Sequence, residues 1–464
     1  MKKYLRAIIL LGLYTFFYLV LELIINDLAA PVIGGSKVAL LYGVSYLTVA
    51  IGYPLYFLFK RLIKNEKLLQ VVFAIAGCIN LIFLLILANT SISWLFVVLT
   101  LFTHLTAGYI GGVVYHFIAE QFREAGKIGL FLGFSYAGSC LVQIIGLIPA
   151  SALPVDIYAW IEGGALVLAL GLIYWLLFIN TPTIGTEEIR IIKTAPNIKK
   201  YLWGALAAMV LIAMMQGITD GIITSLHAQG GEFIAYGFPR IFAVAGLMVS
   251  GIIADIKNRK LFPYCTVLAM IFLVLSVLFF MTPETYNIAL SCVYFFGSFM
   301  SMYSAVNFIE IAPSTSTPAL TAVSGRMTRY FFAGLAIIFS GQLFESASMT
   351  ALIVTYVIFV ALLFTVFFFM GQLHIPSQRQ LKKRNADYLE ELTKKYALTT
   401  RETEILALLV KGEAISDIAA QLFLSEKTIR NYIGKLVTKT GTLSRADLIE
   451  MAKNYLNPET TESP

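Results

Sequence analysis

The chain has 464 residues, of which 58% are hydrophobic and only 13% carry a charge. Together with a mean hydropathy of +0.80, this composition excludes an ordinary soluble globular protein and indicates a polytopic membrane protein. The formal net charge of +7 is informative mainly through its distribution, because cytoplasmic loops of membrane proteins collect Lys and Arg.

Apolar runs of about 17–25 residues are long enough to cross a bilayer as helices. Twelve such runs occur, at 7–25, 38–59, 68–88, 92–117, 128–150, 155–179, 201–225, 233–254, 261–281, 286–311, 320–343 and 349–372. The sequence therefore predicts an all-α membrane domain of twelve transmembrane helices over residues 1–373. Its halves are predicted at 1–180 and 201–373, joined by a cytoplasmic loop at 181–200.

Lys and Arg alternate between the connections of these runs. They cluster at the N-terminus and after the second, fourth, sixth, eighth and twelfth runs, whereas the connections around 89–91, 152–154 and 282–285 contain none. This pattern predicts a multi-pass protein of the cytoplasmic membrane with both termini in the cytoplasm. The first run is not expected to be a cleaved signal peptide, because it is too long and further spans follow.

The connection after the eighth run has the spacing G-x-x-x-D-x-x-x-R-[KR], with Gly251, Asp255, Arg259 and Lys260. Together with twelve runs in two halves, this motif resembles the major facilitator superfamily. The resemblance implies that the Asp and the basic residues latch helix ends, and that spans 1, 4, 7 and 10 line a central cavity. The matching position after the second run keeps Gly52 but has no Asp, which is compatible with a transporter-like domain that no longer transports.

Polar and charged side chains inside spans are costly and therefore mark candidate functional sites. They recur at helical spacing on spans 1, 7 and 10, with a histidine on span 4. The predicted ligand-binding set is Tyr14, Tyr18, Glu22, His104, Gln216, Asp220, Tyr303, Asn307 and Glu310. Such a set suits a small, partly apolar ligand that is cationic or hydroxylated. The competing interpretation is that these residues lie near membrane ends or pair only to hold helices together.

Residues 374–397 form the predicted linker. The stretch 377–397 has no internal Gly or Pro and reads as a helix of roughly 28 Å at 1.5 Å per residue. Two interpretations are open. It is either a solvated spacer whose basic start lies near lipid headgroups, or a helix that pairs with its twin or docks on the membrane domain.

Residues 398–464 have an amphipathic texture that the rest of the chain lacks. Thr399 and Glu402 form a predicted capping box that opens a first helix, and Gly412 is expected to end it. Ser425 is expected to cap a third helix over 426–439, and Ser444 a fourth. Two short helices, a tight turn and a third helix with a basic polar face indicate a helix-turn-helix.

The segment also resembles the LuxR-type (FixJ- or NarL-type) DNA-binding domain. The matching residues include Leu398-Thr399, Arg401-Glu402, Asp417-Ile418-Ala419, Leu424-Ser425, Thr428-Ile429-Arg430, Gly441 and Ser444-Arg445. The resemblance implies sequence-specific DNA binding, usually as a dimer through the fourth helix. It assigns base reading to Arg430 and Asn431, and backbone contacts to Lys427, Thr428 and Lys435. Departures from the family pattern occur at Ala414-Ile415, Tyr432 and Gly434.

No sequence pattern indicates an enzyme or a cofactor. The cysteines all fall inside apolar runs, where small buried hydrophobes are expected: Cys78, Cys140, Cys265 and Cys292. Metal-ligand spacing, a nucleotide-binding loop and a catalytic triad are not visible, so we predict no metal, no cofactor and no catalytic residue.

The predicted function is a membrane-embedded transcription regulator that binds promoter or operator DNA under the control of a small inducer. The lipid bilayer, a second copy of the chain on DNA and RNA polymerase are the further candidate partners. Two alternatives remain at this point: a secondary transporter carrying a regulatory DNA-binding tail, and a membrane anchor for DNA without a ligand.

Overall fold

The computed structural model describes residues 4–122, 125–150, 155–179, 198–229, 238–277, 283–315, 317–346, 349–371, 389–410 and 413–455. The chain divides into two compact units, Met1–Ile375 and Pro376–Pro464. Within the described ranges all regular secondary structure is helical, which confirms the predicted all-α fold class.

The first unit is built from twelve α-helices in the ranges that the structure describes. They are α1 (Leu5–Ile33), α2 (Val38–Leu62), α3 (Glu66–Asn89), α4 (Ser93–Gln121), α5 (Ile128–Ala150), α6 (Val155–Tyr174), α7 (Ile198–Gln229), α8 (Ile241–Asp255), α9 (Phe262–Val277), α10 (Pro283–Ile311), α11 (Pro318–Ser346) and α12 (Met349–Gly371). A π-helical turn, Trp175–Ile179, follows α6.

Ten helical segments among the described residues are long and apolar enough to cross a membrane. The helix α9 is apolar but shorter, and α11, whose interior carries Arg326 and Arg329, is not among the ten. A multi-pass membrane unit is therefore supported, whereas the number of twelve spans stays a prediction.

Several predicted boundaries differ from the observed helices. The first span was expected at 7–25, but α1 extends from Leu5 to Ile33 and contains Pro31. The eighth span was expected from 233. Residues 233–237 lie outside the described ranges, and α8 begins at Ile241 after a 3-10 turn, Phe238–Arg240. Hydropathy marks the apolar interior of a helix, whereas the polar turns at its ends depend on capping and neighbours.

The two halves of this unit pack through α2 against α11 and through α5 against α8. Glycines allow these helices to approach closely. A Cβ on Gly129 would lie 2.5 Å from the carbonyl oxygen of Gly251, and one on Gly43 would lie 2.8 Å from that of Gly334. Small residues at helix crossings are the usual way for membrane helices to gain packing contacts.

The second unit has a hydrophobic core of its own, which includes Leu392, Ile405, Ile418, Ile429 and Leu448. It contains α13 (Thr400–Val410), α14 (Ile415–Leu422), α15 (Glu426–Thr440) and α16 (Arg445–Tyr455). A helical stretch at 389–395 precedes them. Most of the predicted linker helix, and the predicted stop at Gly412, lie outside the described residues.

The predicted caps of the second unit are confirmed. The backbone N–H of Thr399 donates to the Glu402 carboxylate at 2.8 Å, and that of Glu402 donates to the Thr399 hydroxyl at 3.3 Å. The hydroxyl of Ser444 accepts from the backbone of Asp447 at 3.1 Å. These contacts satisfy backbone donors that a helix start leaves unpaired.

Candidate functional site

The helix α15 combines a buried apolar face with an exposed polar one. Ser425 caps its first turn by accepting from the N–H of Thr428 at 3.1 Å, and Gly441 ends it in the left-handed conformation, with φ of 70°. Ile429, Ile433 and Leu436 are buried against the other helices of the unit. The opposite face is thereby directed outward along the whole helix.

The five predicted DNA-binding residues all lie on α15. Lys427, Arg430, Asn431 and Lys435 are exposed, and Thr428 is partly buried, with its hydroxyl oxygen 2.8 Å from that of Ser425. This surface presents three cations and a side-chain amide within about two and a half helical turns. Arginine, asparagine and lysine at such spacing match guanine edges, adenine edges and phosphates in a major groove.

Arg430 is not unpaired on this surface. Its Nη2 donates to Glu426 Oε2 at 3.2 Å, and both side chains are more than half exposed. An exposed i,i+4 ion pair contributes only about 0.3–0.5 kcal/mol, so a bidentate contact to a base can replace it. The pair holds the guanidinium over the helix face.

Lys439, also on α15, has a structural role instead. Its ammonium donates to Glu402 at 2.7 Å and to the carbonyl oxygen of Ala397 at 3.1 Å. Burial alone would raise the pKa of the Glu402 carboxyl, but its hydrogen bonds from Lys439 and Thr399 outweigh burial and lower that pKa. This contact ties α15 to the start of α13.

A cavity of about 580 Å³ lies within the first unit, near the end of the bundle where α1 stops and α2 begins. Three predicted ligand-binding residues line it, namely Glu22, Gln216 and Asp220. The other described lining residues come from α1, α2, α5 and α7–α11, and none comes from α4. Span 4, which was expected to line a central cavity, therefore contributes no described residue to this one, although His104 lines the small void beside it.

Gln216 connects two charges across neighbouring helices. Its Nε2 donates to Asp220 Oδ2 at 3.0 Å, and its Oε1 accepts from Arg329 Nε at 2.9 Å. The hydroxyl of Tyr42 donates to Glu22 Oε1 at 3.4 Å and lies 2.6 Å from that of Tyr46. One wall of the cavity thus contains the Glu22 carboxylate beside two tyrosines. The other wall contains the Asp220 carboxylate and the Arg329 guanidinium, which Gln216 connects.

Tyr14, Tyr18 and His104 pack beside the cavity and do not line it. The Tyr18 ring lies 6.4 Å from that of His104, which lines a small void next to Glu22. His104 Nδ1 is 2.8 Å from the Thr100 carbonyl oxygen. Tyr14 is farther along α1, and its hydroxyl lies 3.1 Å from that of Tyr53.

The three predicted residues of α10 are not brought to the cavity. Tyr303 is buried between Phe262 and Phe367, at ring-centroid distances of 6.2 and 5.4 Å. Asn307 is also buried, and its amide donates to the Tyr303 carbonyl oxygen at 3.4 Å. Glu310 forms an ion pair with Arg259. The observed contacts of these three residues therefore agree with the competing interpretation, in which they pack and pair to hold helices together.

Asp255 forms a latch at the opposite end of the bundle. Its two carboxylate oxygens accept from the N–H groups of Gly129 and Leu130 at 2.9 and 2.8 Å, at the start of α5. Arg259 lies 3.8 Å from Asp255 and contacts Glu310. A residue of the second half thereby caps a helix of the first half, where the positive end of a helix dipole favours an anion.

The predicted ligand set missed several residues that line the cavity: Asn26, Asp27, Tyr42, Tyr46, Arg240, Tyr294 and Arg329. Part of the signal was in the sequence. Asn26 follows Glu22 by four residues and therefore shares its face of α1. Tyr42 and Tyr46 have the same spacing and share one face of α2. Nothing local indicates that Arg329 reaches Gln216, which is 113 positions away.

A helical membrane bundle with a cavity, joined to a helix-turn-helix unit, defines the class of this protein. A family model described as bacterial regulatory proteins, luxR family, matches residues 396–452. The spore germination protein GerE of Bacillus subtilis is 40% identical over 60 residues, which span 13% of this chain and 81% of GerE. The chain belongs to the luxR family through its second unit.

A second relative, the response regulator RamR of Streptomyces coelicolor, is 44% identical over 57 residues, which span 12% of this chain. The chain spans only 28% of the length of RamR. What is shared is therefore the DNA-binding domain.

The membrane unit is similar to solved transporter structures. The human organic anion transporter MFSD10 has a TM-score of 0.52 at 11% identity, covering 80% of this chain and 99% of that protein. The Escherichia coli fucose:proton symporter FucP has a TM-score of 0.54 at 13% identity, covering 81% and 100%. The likeness confirms the major-facilitator fold, and at this identity it concerns the fold alone.

Proposed function

We propose that this chain is a membrane-embedded transcription regulator whose DNA affinity is set by a small ligand in its membrane unit. The observation that carries the proposal is the exposed face of α15, with Arg430, Asn431 and Lys435 outward, in a chain whose other unit is a multi-pass bundle. Sequence-specific reading of a promoter or operator follows from Arg430 and Asn431 on base edges. Lys427, Thr428 and Lys435 hold the phosphate backbone.

The DNA-bound form is a homodimer in this proposal. A helix-turn-helix dimer reads two half-sites separated by about 34 Å, one turn of DNA. The family resemblance supports a dimer contact through α16. RNA polymerase is the downstream partner, and no catalytic step is required of the chain.

The proposed location is the cytoplasmic membrane, with both termini in the cytoplasm. The distribution of Lys and Arg in the connections supports this orientation, and only there can α15 reach the chromosome. Reporter fusions after residue 200 and at the C-terminus should give the cytoplasmic phenotype. A periplasmic phenotype at either place would contradict the proposal.

Ligand control requires two states of the membrane unit with unequal ligand affinity. The fold supplies a basis for two states, because α5 and α8 of opposite halves meet at the Asp255 latch while the cavity lies toward the other end. Alternating exposure in such folds is a rocking of the halves about a central site. The linker after Pro376 transmits that motion to α15 in this proposal.

The experiment that tests the proposal is footprinting with the full-length chain in lipid nanodiscs on genomic DNA fragments. Protection of discrete sites that share a motif is the expected result. Binding without any sequence preference at moderate salt would overturn it.

Secondary transport is the second candidate, supported by the likeness of the membrane unit to solved transporters and by its polar cavity. It predicts that a compound which binds the cavity is also accumulated by cells or vesicles that contain the protein. If the protein regulates without transporting, the compound should bind the cavity but should not accumulate in the cells or vesicles.

A further inference from the structure

The charges around the cavity do not cancel. Its described lining contains three carboxylates and two guanidinium groups: Glu22, Asp27, Asp220, Arg240 and Arg329. With all five ionised, this part of the lining carries one net negative charge. An uncompensated charge in a membrane-embedded site is costly unless a partner of opposite sign is supplied.

Four of these five groups already have interaction partners within the protein. Gln216 bridges Asp220 and Arg329, which makes that wall a charge-balanced unit. Asp27 and Arg240 make interactions of their own. Glu22 is also attracted by Arg240 and Arg329, but at distances beyond a salt bridge.

Glu22 has no ion-pair partner in the part of the chain that the structure describes. Its polar contacts there are with hydroxyls, that of Tyr42 at the long distance of 3.4 Å and that of Tyr18. A hydroxyl can donate to a carboxylate but does not neutralise it. The carboxylate faces the cavity, where a cationic group of a ligand can pair with it directly.

The surroundings of Glu22 suit an organic cation better than a metal ion or an anion. The rings of Tyr42 and Tyr46 are 4.6 Å apart, and Tyr46 lies 4.9 Å from Tyr330. Aromatic faces next to a carboxylate attract ammonium groups through ion pairing and cation–π interactions. An anion would meet a net negative lining.

The volume and the lining of the cavity limit the size and the polarity of the rest of the ligand. A volume of about 580 Å³ falls within the range of roughly 300–1,000 Å³ typical of small-molecule sites. Apolar side chains also line it, including Val38, Ile223, Leu247 and Val293. We infer that the cavity binds an organic monocation, with the ammonium group on Glu22 and an apolar body against these side chains. This inference rests on the proposed ligand control and deepens it.

The test is a thermal-shift titration of the purified full-length chain with probes matched in shape and different in charge. The probes are phenethylamine, 2-phenylethanol and 3-phenylpropionate, together with choline as a cation of different shape. At least one of the two cations should stabilise the protein, and the alcohol and the carboxylate should bind at least about tenfold more weakly, a difference of 1.4 kcal/mol.

The variant Glu22→Gln keeps the shape of the side chain and removes the charge. It should weaken cation binding by at least about tenfold. Glu284→Gln removes an exposed carboxylate of α10 that does not line the cavity, and it should bind the cation as the unaltered protein does. Because each titration is read against its own ligand-free melting temperature, a change in basal stability does not affect the comparison.

Three results would overturn the inference. They are equal binding of 3-phenylpropionate and phenethylamine, cation binding that survives Glu22→Gln, and no binding of either cation up to about 10 mM, where any remaining affinity is too weak to be specific. The footprint of the same preparation separates this inference from the proposed function. If the protein protects specific DNA sites but binds no cation, only the inference of a cationic ligand is rejected. If it binds the cation but protects no specific sites, the proposed function as a transcription regulator is rejected.

Discussion

Arg430 and Lys427 lie one turn apart on the exposed face of α15 and are expected to act differently on DNA. Arg430 is held beside Glu426 at 3.2 Å, over the helix face, in the position that the family resemblance assigns to base reading. Lys427 is a flexible point charge near the start of the helix. A guanidinium can contact a base edge at two points, whereas an ammonium contributes mainly a charge near phosphate.

The variant Arg430→Ala should weaken binding to matched sites by about 1–3 kcal/mol and relax base preference at one position. Lys427→Ala should weaken binding to all duplexes alike and reduce the slope of affinity against salt by about one. Fluorescence anisotropy with matched and scrambled duplexes measures both effects.

Lys394→Ala is the control for this pair. It also removes one cation from the second unit, but Lys394 lies outside α15 and pairs with Glu390 at 2.9 Å. It should leave both quantities unchanged. Equal losses for Arg430→Ala on matched and scrambled DNA would contradict its assignment to base reading.

At the scale of elements, the packing of α13 against α15 depends on pH through Glu402. Its carboxyl pKa is lowered in the folded state from an ordinary value of 4.5. A group with a depressed folded pKa stabilises the fold above its unfolded pKa, and that contribution is lost as pH falls through the lower folded value. The contribution is therefore complete at pH 7 and disappears in acid.

The variant Glu402→Gln should lower the unfolding free energy of fragment 374–464 by about 1–2 kcal/mol at pH 7, since charge-assisted hydrogen bonds are lost. The difference from the unaltered fragment should shrink at pH values well below 4.5. Thermal melts across pH measure it. We expect the isolated fragment to fold, because it has its own hydrophobic core and its similarity to GerE covers 81% of that protein.

Glu404→Gln is the matched control two positions away. Glu404 pairs with Arg401 on the exposed surface at 2.8 Å, so its loss should cost less than about 0.5 kcal/mol at pH 7. A loss for Glu402→Gln that stayed constant from neutral to acid pH would show that Glu402 does not act through its charge.

The contact between α5 and α8 is the second element with a testable role. A Cβ on Gly129 would lie 2.5 Å from the Gly251 carbonyl oxygen and 3.0 Å from the Asp255 carboxylate. Gly129→Ala should therefore separate the two helices, weaken the latch and cost about 1–3 kcal/mol, as overpacked cores do. We expect a lower melting temperature and altered basal reporter transcription.

Gly138→Ala provides the comparison, since it lies on the same helix with no atom within 4 Å of the added Cβ. It should leave the melting temperature and basal transcription as they are. If Gly129→Ala behaved like Gly138→Ala in both measurements, the latch would have no part in setting the state of the membrane unit.

How far the sequence predicts such elements depends on the range of the interactions. The caps at Thr399, Ser425 and Ser444 join residues three positions apart, so the local pattern was sufficient. The stripe on α10 was recognised as one face of a helix. The spacing of these residues along α10 does not predict that Tyr303 packs on Phe262 and Phe367, because both partners come from distant parts of the chain.

At the scale of the whole molecule, the question is how the two units communicate. The twelfth apolar run leads through Pro376 into the linker, so a tilt of α12 would move the DNA-binding unit in the proposed mechanism. An insert of Gly and Ser after Pro376 should leave DNA binding intact and abolish the response to inducer, because a slack tether transmits no tilt. Reporter transcription with and without inducer measures this response.

A rigid insert of similar length, built from helix-forming residues, is the control for added distance alone. It should preserve part of the response, since a helical spacer remains semi-rigid. A full inducer response with the flexible insert would rule out mechanical coupling through this linker.

The central claim is that a protein embedded in the membrane reads specific DNA through α15. The most direct measurement is the genome-wide occupancy of the full-length chain, cross-linked in living cells and recovered from the membrane fraction, beside the variant Arg430→Ala. The account predicts a small number of discrete sites that share one motif, with occupancy lost in the variant. Occupancy spread evenly over the genome, or identical sites in Arg430→Ala, would contradict it.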